Sequence, residues 1–349
     1  MKKYFLILSA MVLLCACHSK NTDPAQKPVT PDGPEVFAKG ADISWATEME
    51  SKGMKFYNEA GEERECTALF KEIGFNSVRY RVWVNPTDGW CNKDDVLVKA
   101  KRAQALGMNI LIDFHYSDWW ADPGKQNIPA AWKDYDLNQM ASAVSDHTKE
   151  VLRCLKDNKI EVKWVQVGNE TRTGLLWPMG KLTDDNPFNY CTLSNAGYDA
   201  VKSIYPDAIV IIHNDNGWDI SLNNWFWTLI GKGGAKYDMI GLSLYPSYWD
   251  DASKSYPDWT TKCRQFVSNI VQIHSNFSKP VMLVEFGMPV SQPDKAGAAL
   301  QFIIDGTSSY DWFKGIFLWE PESESARNGY DYGAFADGKP TSALNPFKY

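Results

Sequence analysis

Residues 77–114 read SVRYRVWVNPTDGWCNKDDVLVKAKRAQALGMNILIDF. Ser77 to Val84 is a short apolar, β-branched run, and Asp94 to Leu106 has the spacing and composition of an amphipathic helix. Gly107 stands where a helix C-cap belongs, and Met108 to Phe114 is a second apolar run. A strand, a helix and another strand in this order form a parallel pair with the helix packed across it. Outward from this unit, runs of the same kind recur at Phe37 to Ile43, Val162 to Val167, Ala208 to His213, Met239 to Leu244, Val281 to Phe286 and Gly315 to Trp319, eight in all. Helical stretches lie between them, for instance from about Leu137 to Asp157 and from about Ala296 to Asp305. Eight repeats of strand and helix imply an α/β fold of the closed (β/α)8 TIM-barrel type, one domain over residues 36–349. An open doubly wound sheet shares the alternation, but no GxGxxG follows the first run, so a dinucleotide fold has nothing to bind with.

Upstream of the barrel the chain changes character. Met1-Lys2-Lys3, an apolar stretch from Tyr4 to Ala16, and Cys17 have the layout of a secretory signal, expected to occupy residues 1–16 and to be removed. Leu14-Cys15-Ala16-Cys17 resembles the bacterial lipobox, in which the cysteine after the cut carries lipid; Cys17 is then a membrane anchor, and an outer-membrane or cell-surface lipoprotein is expected. Residues 17–35 are polar and Pro-rich, with Pro24, Pro28, Pro31 and Pro34, and read as a flexible tether. Loss of residues 1–16 removes Lys2 and Lys3 and no acid, moving the net charge from −7 to −9. An acidic surface repels phosphate backbones, so nucleic acid is excluded as a partner and a neutral ligand is favoured. The other cysteines are Cys66, Cys91, Cys154, Cys191 and Cys263, an odd number without a CxxC pair, which rules out zinc-ribbon spacing and leaves any disulfide open.

Chemistry on such a barrel sits where strands end. Of fifteen tryptophans, Trp45, Trp83, Trp90, Trp119, Trp120, Trp177, Trp218, Trp249 and Trp319 fall at or just beyond a strand's C-terminal end. Aromatic faces gathered there suit a sugar polymer, because pyranose C–H faces stack on rings; some of these residues are expected only to pack loops. Val167-Gly168-Asn169-Glu170 closes the fourth run and Val284-Glu285-Phe286 the seventh. A buried strand ending in a carboxylate must pair or hydrogen-bond that charge. Two such endings on opposite sides of a barrel can converge on a glycosidic bond, with Glu170 as acid/base and Glu285 as nucleophile. The bland alternative pairs each glutamate with Arg79 or Arg81, which share a strand face with Trp83. One of these arginines is expected against Glu285; the sequence does not decide which. His115 and His213 end the third and fifth runs near Asp113 and Asp215, so a metal site is conceivable. Without a His-x-His on the first strand, they read instead as hydrogen-bonding groups, and no catalytic metal is expected.

Together these stretches resemble glycoside hydrolase family 53, the arabinogalactan endo-β-1,4-galactanases. The residues carrying the likeness are Gly40-Ala41-Asp42-Ile43-Ser44, Val78 to Pro86, Asp113 to Pro123, Gly168-Asn169-Glu170, Gly174 to Pro178, His213 to Gly217 and Trp319-Glu320-Pro321. Asn-Glu alone is shared by a whole clan, whereas the run from Asp113 to Pro123 is long and specific. The resemblance implies a retaining, endo-acting enzyme on plant galactan, expected to work as a monomer. It implies that Asn169 bonds the 2-hydroxyl of the cleaved sugar and that Arg79 and Tyr245 position Glu285. It also implies that His115, Asp118, Trp120, His213 and Trp319 line the substrate cleft. Bacterial members often carry a long loop rich in Asp, His and Asn that holds calcium. Here the stretch from Glu285 to the helix near Ala296 is short, as is the loop from Glu320 to Tyr332, which puts calcium and distant non-reducing-side subsites in doubt. The competing readings are a β-mannanase or cellulase of the same clan, and a surface glycan-binding lipoprotein that does not cut.

Overall fold

Alternation of small or apolar residues with helix-facing ones builds eight strands: β1 Ala38–Asp42, β2 Ser77–Val82, β3 Asn109–Phe114, β4 Trp164–Val167, β5 Ile209–Asn214, β6 Met239–Leu244, β7 Val281–Phe286 and β8 Phe313–Trp319. In the computed structural model, which describes residues 36–248 and 250–348, these strands close into a parallel barrel, each paired with its sequence neighbours and β8 with β1. The signal, the tether and Cys17 lie outside the described residues, and so does Trp249. Each expected run is a barrel strand, with ends that agree to within two residues.

The helices follow the same logic. The eight longer or strand-linking ones are α1 Ala46–Ser51, α2 Cys66–Ile73, α3 Lys93–Ala105, α4 Leu137–Asp157, α5 Phe188–Ile204, α6 Ile220–Lys232, α7 Trp259–Phe277 and α8 Pro293–Thr307. In α4, Asp136 and Gln139 form a capping box, and Met140, Val144, Val151, Leu152 and Leu155 are buried on one face. The Asn92 side chain caps α3 by accepting from the Asp94 and Asp95 amides.

Period-two alternation sorts the strand residues. Val78, Tyr80 and Val82 of β2 join the layer under the helices, while Ala38, Leu111, Trp164, Ile211, Met239, Met282, Val284 and Phe317 fill the barrel. Trp164 meets Phe317 edge-on at 6.1 Å. Gly40 is required beside them, since a Cβ there would fall 2.2 Å from the Phe317 ring. Above this apolar plug the same inward positions turn polar, giving Asp42, Arg79, Arg81, Asp113, Gln166, His213 and Ser243, all buried. That change of character, one tier below the rim, positions the site.

Strand β7 breaks the alternation. Leu283 pairs Leu242 of β6, but Ser243 pairs Glu285, so β7 carries one extra residue at Val284. The shift recurs against β8, where Leu283 faces Ile316 and Phe286 faces Leu318. A bulge re-aims the residue after it. Val284 and Glu285 therefore both serve the inner side, Val284 in the plug and Glu285 above it.

Candidate active site

The strand ends carry the chemistry into a cavity of about 840 Å³ over the barrel mouth, lined by Glu170, Glu285, Asn169, Tyr245 and the rings of Trp45, Trp120 and Trp319. After β4 the chain turns through Gly168 (φ +85°) and reaches Glu170 in a left-handed conformation, φ +45° and ψ +57°. A side chain at Gly168 would be strained by its φ and would meet Thr171 at 2.5 Å. The turn lifts the Glu170 carboxyl to the rim, and a non-glycine residue held there is a mark of functional strain.

Glu285 is tied from two sides. Arg79 faces it in an ion pair at 2.9 Å and the Tyr245 hydroxyl donates to it at 3.2 Å. Arg79 is wholly buried and also pairs with Asp42 at 2.7 Å and Asp113 at 2.8 Å. Arg81 turns to Glu320 instead, which settles which arginine meets Glu285. Burial pushes Glu285 up to about 7, against the pull of Arg79 and with Asp113 and Asp42 adding to the rise. Glu170 meets no arginine. Burial holds its carboxyl well above the usual carboxylate range, Glu285 and Asp215 push it further, and only a hydrogen bond from Ser243 opposes them. Of the two, Glu285 gives up its proton first, because it alone has a cation beside it.

The Ser243 hydroxyl donates to Glu170 at 2.6 Å and sits 2.7 Å from His213 Nε2. His213 Nδ1 accepts from the Glu170 backbone N–H at 3.3 Å, with the Gln166 amide nitrogen and Asn169 Oδ1 each 3.0 Å away, and the Ser243 oxygen, its hydrogen spent on Glu170, is left to accept from Nε2. The His213 proton therefore resides on Nε2 and points at Ser243. Burial and the nearby Arg79 charge hold this histidine neutral, far below its ordinary pKa. One ligand atom each of Glu170, His213 and Glu285 lie within 4.8 Å of one another. Both His213 nitrogens are, however, already committed to protein partners.

Several expected cleft residues are elsewhere. His213 is fully buried beneath Glu170, and His115 is buried with Nε2 on Asp113 at 3.0 Å and Nδ1 accepting from Trp83 and Ala121. Neither lines the cleft, because each ring is consumed by partners from neighbouring strands. Asp118 is also outside it: its two oxygens accept from the Asn85 and Ala130 amides at 3.0 and 2.8 Å and tie two rim loops together. Trp120, Trp319, Asn169 and Tyr245 do line the cavity. The Asn169 amide donates to Ala121 O and its Oδ1 accepts from Arg79. Of the other rim tryptophans, Trp45 lines the cavity, Trp83 is buried, and Trp90, Trp177 and Trp218 do not line it.

Sequence reading missed the opposite end of the cleft, where Tyr248 and Tyr332 stack at 4.9 Å with planes 5° apart. It also missed Ser243, Gln166 and the buried carboxyls of Glu320 and Glu322. Glu320 could have been found: like Glu170 and Glu285 it stands at the C-terminal end of an apolar run, and like Glu170 it is left-handed, φ +45°. A lone serine in an apolar run gives no such signal.

Known proteins match this arrangement over most of the chain. The sequence pattern of glycosyl hydrolase family 53 spans residues 38–313. A probable arabinogalactan endo-β-1,4-galactanase A of Neosartorya fischeri is 37% identical over 270 residues, covering 74% of this chain and 72% of the relative. The arabinogalactan endo-β-1,4-galactanase of Humicola insolens is 34% identical over 306 residues, covering 81% and 89%. A solved structure described among two fungal β-1,4-galactanases superposes with a TM-score of 0.79 at 31% identity, covering 88% of this chain and 98% of that one. With the family pattern matched across the barrel and relatives above 30% identity along most of their length, the chain belongs to glycosyl hydrolase family 53.

Proposed function

We propose that this glycoside hydrolase cuts β-1,4-galactosidic bonds inside plant arabinogalactan with retention of configuration. The observation that carries the reading is the pair Glu170 and Glu285, with carboxylate oxygens no more than 4.8 Å apart and in opposite electrostatic surroundings. Inverting enzymes hold their carboxyls about 6.5–9.5 Å apart to admit a water between them, whereas retaining ones need about 5–5.5 Å. The ionised Glu285, steadied by Arg79 and Tyr245, attacks the anomeric carbon while the protonated Glu170 gives its proton to the departing glycosidic oxygen. The resulting galactosyl ester of Glu285 is cleaved by water, from which Glu170, now a carboxylate, takes the proton. Asn169 spends one amide hydrogen on Ala121 O and offers the other to a sugar hydroxyl.

The substrate follows the names of the relatives, and the readings as β-mannanase, cellulase or non-catalytic binder find no support there. No step calls for a cofactor, calcium included. The leader ending at Leu14-Cys15-Ala16-Cys17 supports export with a lipid anchor on Cys17, on an enzyme acting as a monomer. Unbranched galactan incubated with the enzyme is expected to give a ladder of galacto-oligosaccharides that shortens with time, with β-configured new ends by proton NMR. Glu285→Gln should lower kcat by at least about 10³-fold while galactan binding persists. A single early product, α-configured ends, or activity retained in that variant would refute the reading.

A further inference from the structure

The tryptophans that bound the cleft have a second side. Trp45 and Trp120 also line a separate hollow of about 260 Å³ in which Trp83 and Trp119 form the other aromatic surface. Trp119 is 48% exposed, an indole resting on Trp83 with ring centres 4.6 Å apart and planes at 36°. Packing on Trp83 and the edge of Trp120 accounts for about half of this ring, and the rest is open to solvent. A large aromatic face left wet beside a cavity is costly unless something covers it. The polar groups around the hollow are compensated: Lys52 pairs with Glu48 at 2.5 Å, Arg327 with Glu324 at 3.2 Å, and the Asn328 amide donates to Ser323 Oγ at 2.8 Å. Aromatic faces with a polar rim of balanced charge fit a neutral ring with hydroxyl edges, not an ion.

Its place on the barrel gives the hollow an occupant. Trp319, Trp45 and Trp120 follow β8, β1 and β3, on the arc opposite Asp215, Asn216 and Tyr248, which follow β5 and β6. A chain laid from the tyrosine end across Glu170 and Glu285 is led to the Trp45 and Trp120 ridge, and the second hollow begins on the far side of those rings. We propose that this hollow is a further sugar subsite, holding one more ring of the polysaccharide chain beyond the Trp45 and Trp120 ridge with Trp119 as its platform. The proposal rests on the galactan reading above.

The test compares Glu285→Gln with the double variant Glu285→Gln, Trp119→Ala by calorimetry on linear β-1,4-galacto-oligosaccharides of increasing length. Affinity for the shortest should be the same in both proteins, and affinity for the longest should fall about 3- to 10-fold in the double variant, as the loss of one aromatic platform predicts. Trp119→Phe, which keeps a ring, should recover part of the loss. In otherwise unaltered enzyme, Trp119→Ala should raise KM on long chains and leave kcat on short ones unchanged. Equal affinity of the two proteins at every length overturns the subsite while leaving the substrate reading intact. Failure of Glu285→Gln to bind any galacto-oligosaccharide would remove the substrate reading, and the subsite with it.

Discussion

Glu170 and Glu285 are chemically the same side chain, and their surroundings give them different tasks. Both are raised by burial, yet Arg79 favours the charged form of Glu285 while Glu170 has only the Ser243 hydroxyl. The sign of the pH dependence follows. On the proposed roles, activity should rise with pH as Glu285 ionises and becomes able to attack, and fall at higher pH as Glu170 loses the proton it must donate, so kcat/KM against pH is expected to be a bell. Ser243→Ala removes a hydrogen bond that favours ionised Glu170, so the alkaline limb should move to higher pH by up to about one unit. The acid limb should stay where Arg79 sets it. A pH–rate profile of both proteins checks this, and an unmoved alkaline limb would show that Ser243 does not tune the acid. The two glutamates were legible in the sequence because each stands at the C-terminal end of an apolar run. The fates of His115 and His213 were not, because what consumes their nitrogens is Asp113, Gln166 and Trp83, brought together only when the barrel closes.

The β2 strand carries two arginines to two different ends. Arg79 serves the carboxyl pair, while Arg81 lies 4.3 Å from the Trp120 ring centre and 5.0 and 5.3 Å from those of Trp45 and Trp83. Its counter-ion Glu320 accepts from the Trp45 amide at 3.1 Å and lies beside Glu322, a second wholly buried carboxyl. Burial and the Glu320 charge hold Glu322 protonated. Arg81 is thus the cation that the tryptophan wall and this acid pair share. Arg81→Met should cost about 3–5 kcal/mol in urea unfolding, because it leaves Glu320 buried without a cation. Arg81→Lys should recover much of that stability but should raise KM, since a point charge does not hold three rings as a planar guanidinium does. At this scale the order of strands and helices was readable from periodicity, with α4 matched at both ends. The bulge in β7 was not, because Val281 to Phe286 is a plain apolar run whose extra residue shows only against its neighbours.

For the molecule as a whole, export would make disulfides available, yet Cys66, Cys91, Cys154, Cys191 and Cys263 are all unpaired, four of them buried. Stability therefore comes from the barrel and its helical coat. The melting temperature of the mature protein should be the same with and without dithiothreitol by calorimetry, and a drop of several degrees would reveal a crosslink. The eightfold alternation was the most legible feature of the sequence, because each repeat must bury its own strand. Which thiols come near one another depends on three-dimensional packing and left no trace in spacing. The bulge at Val284 has a consequence for how this chain can vary. Strict alternation after Met282 and Val284 would aim Glu285 outward at the helices; one surplus backbone unit turns it inward. The aim of Glu285 is thus fixed by a count of residues as much as by its identity. Substitutions along β7 that keep the bulge leave Glu285 aimed at the cleft, whereas one that let the same residues run as a regular strand would leave every glutamate in the sequence and face Glu285 the wrong way.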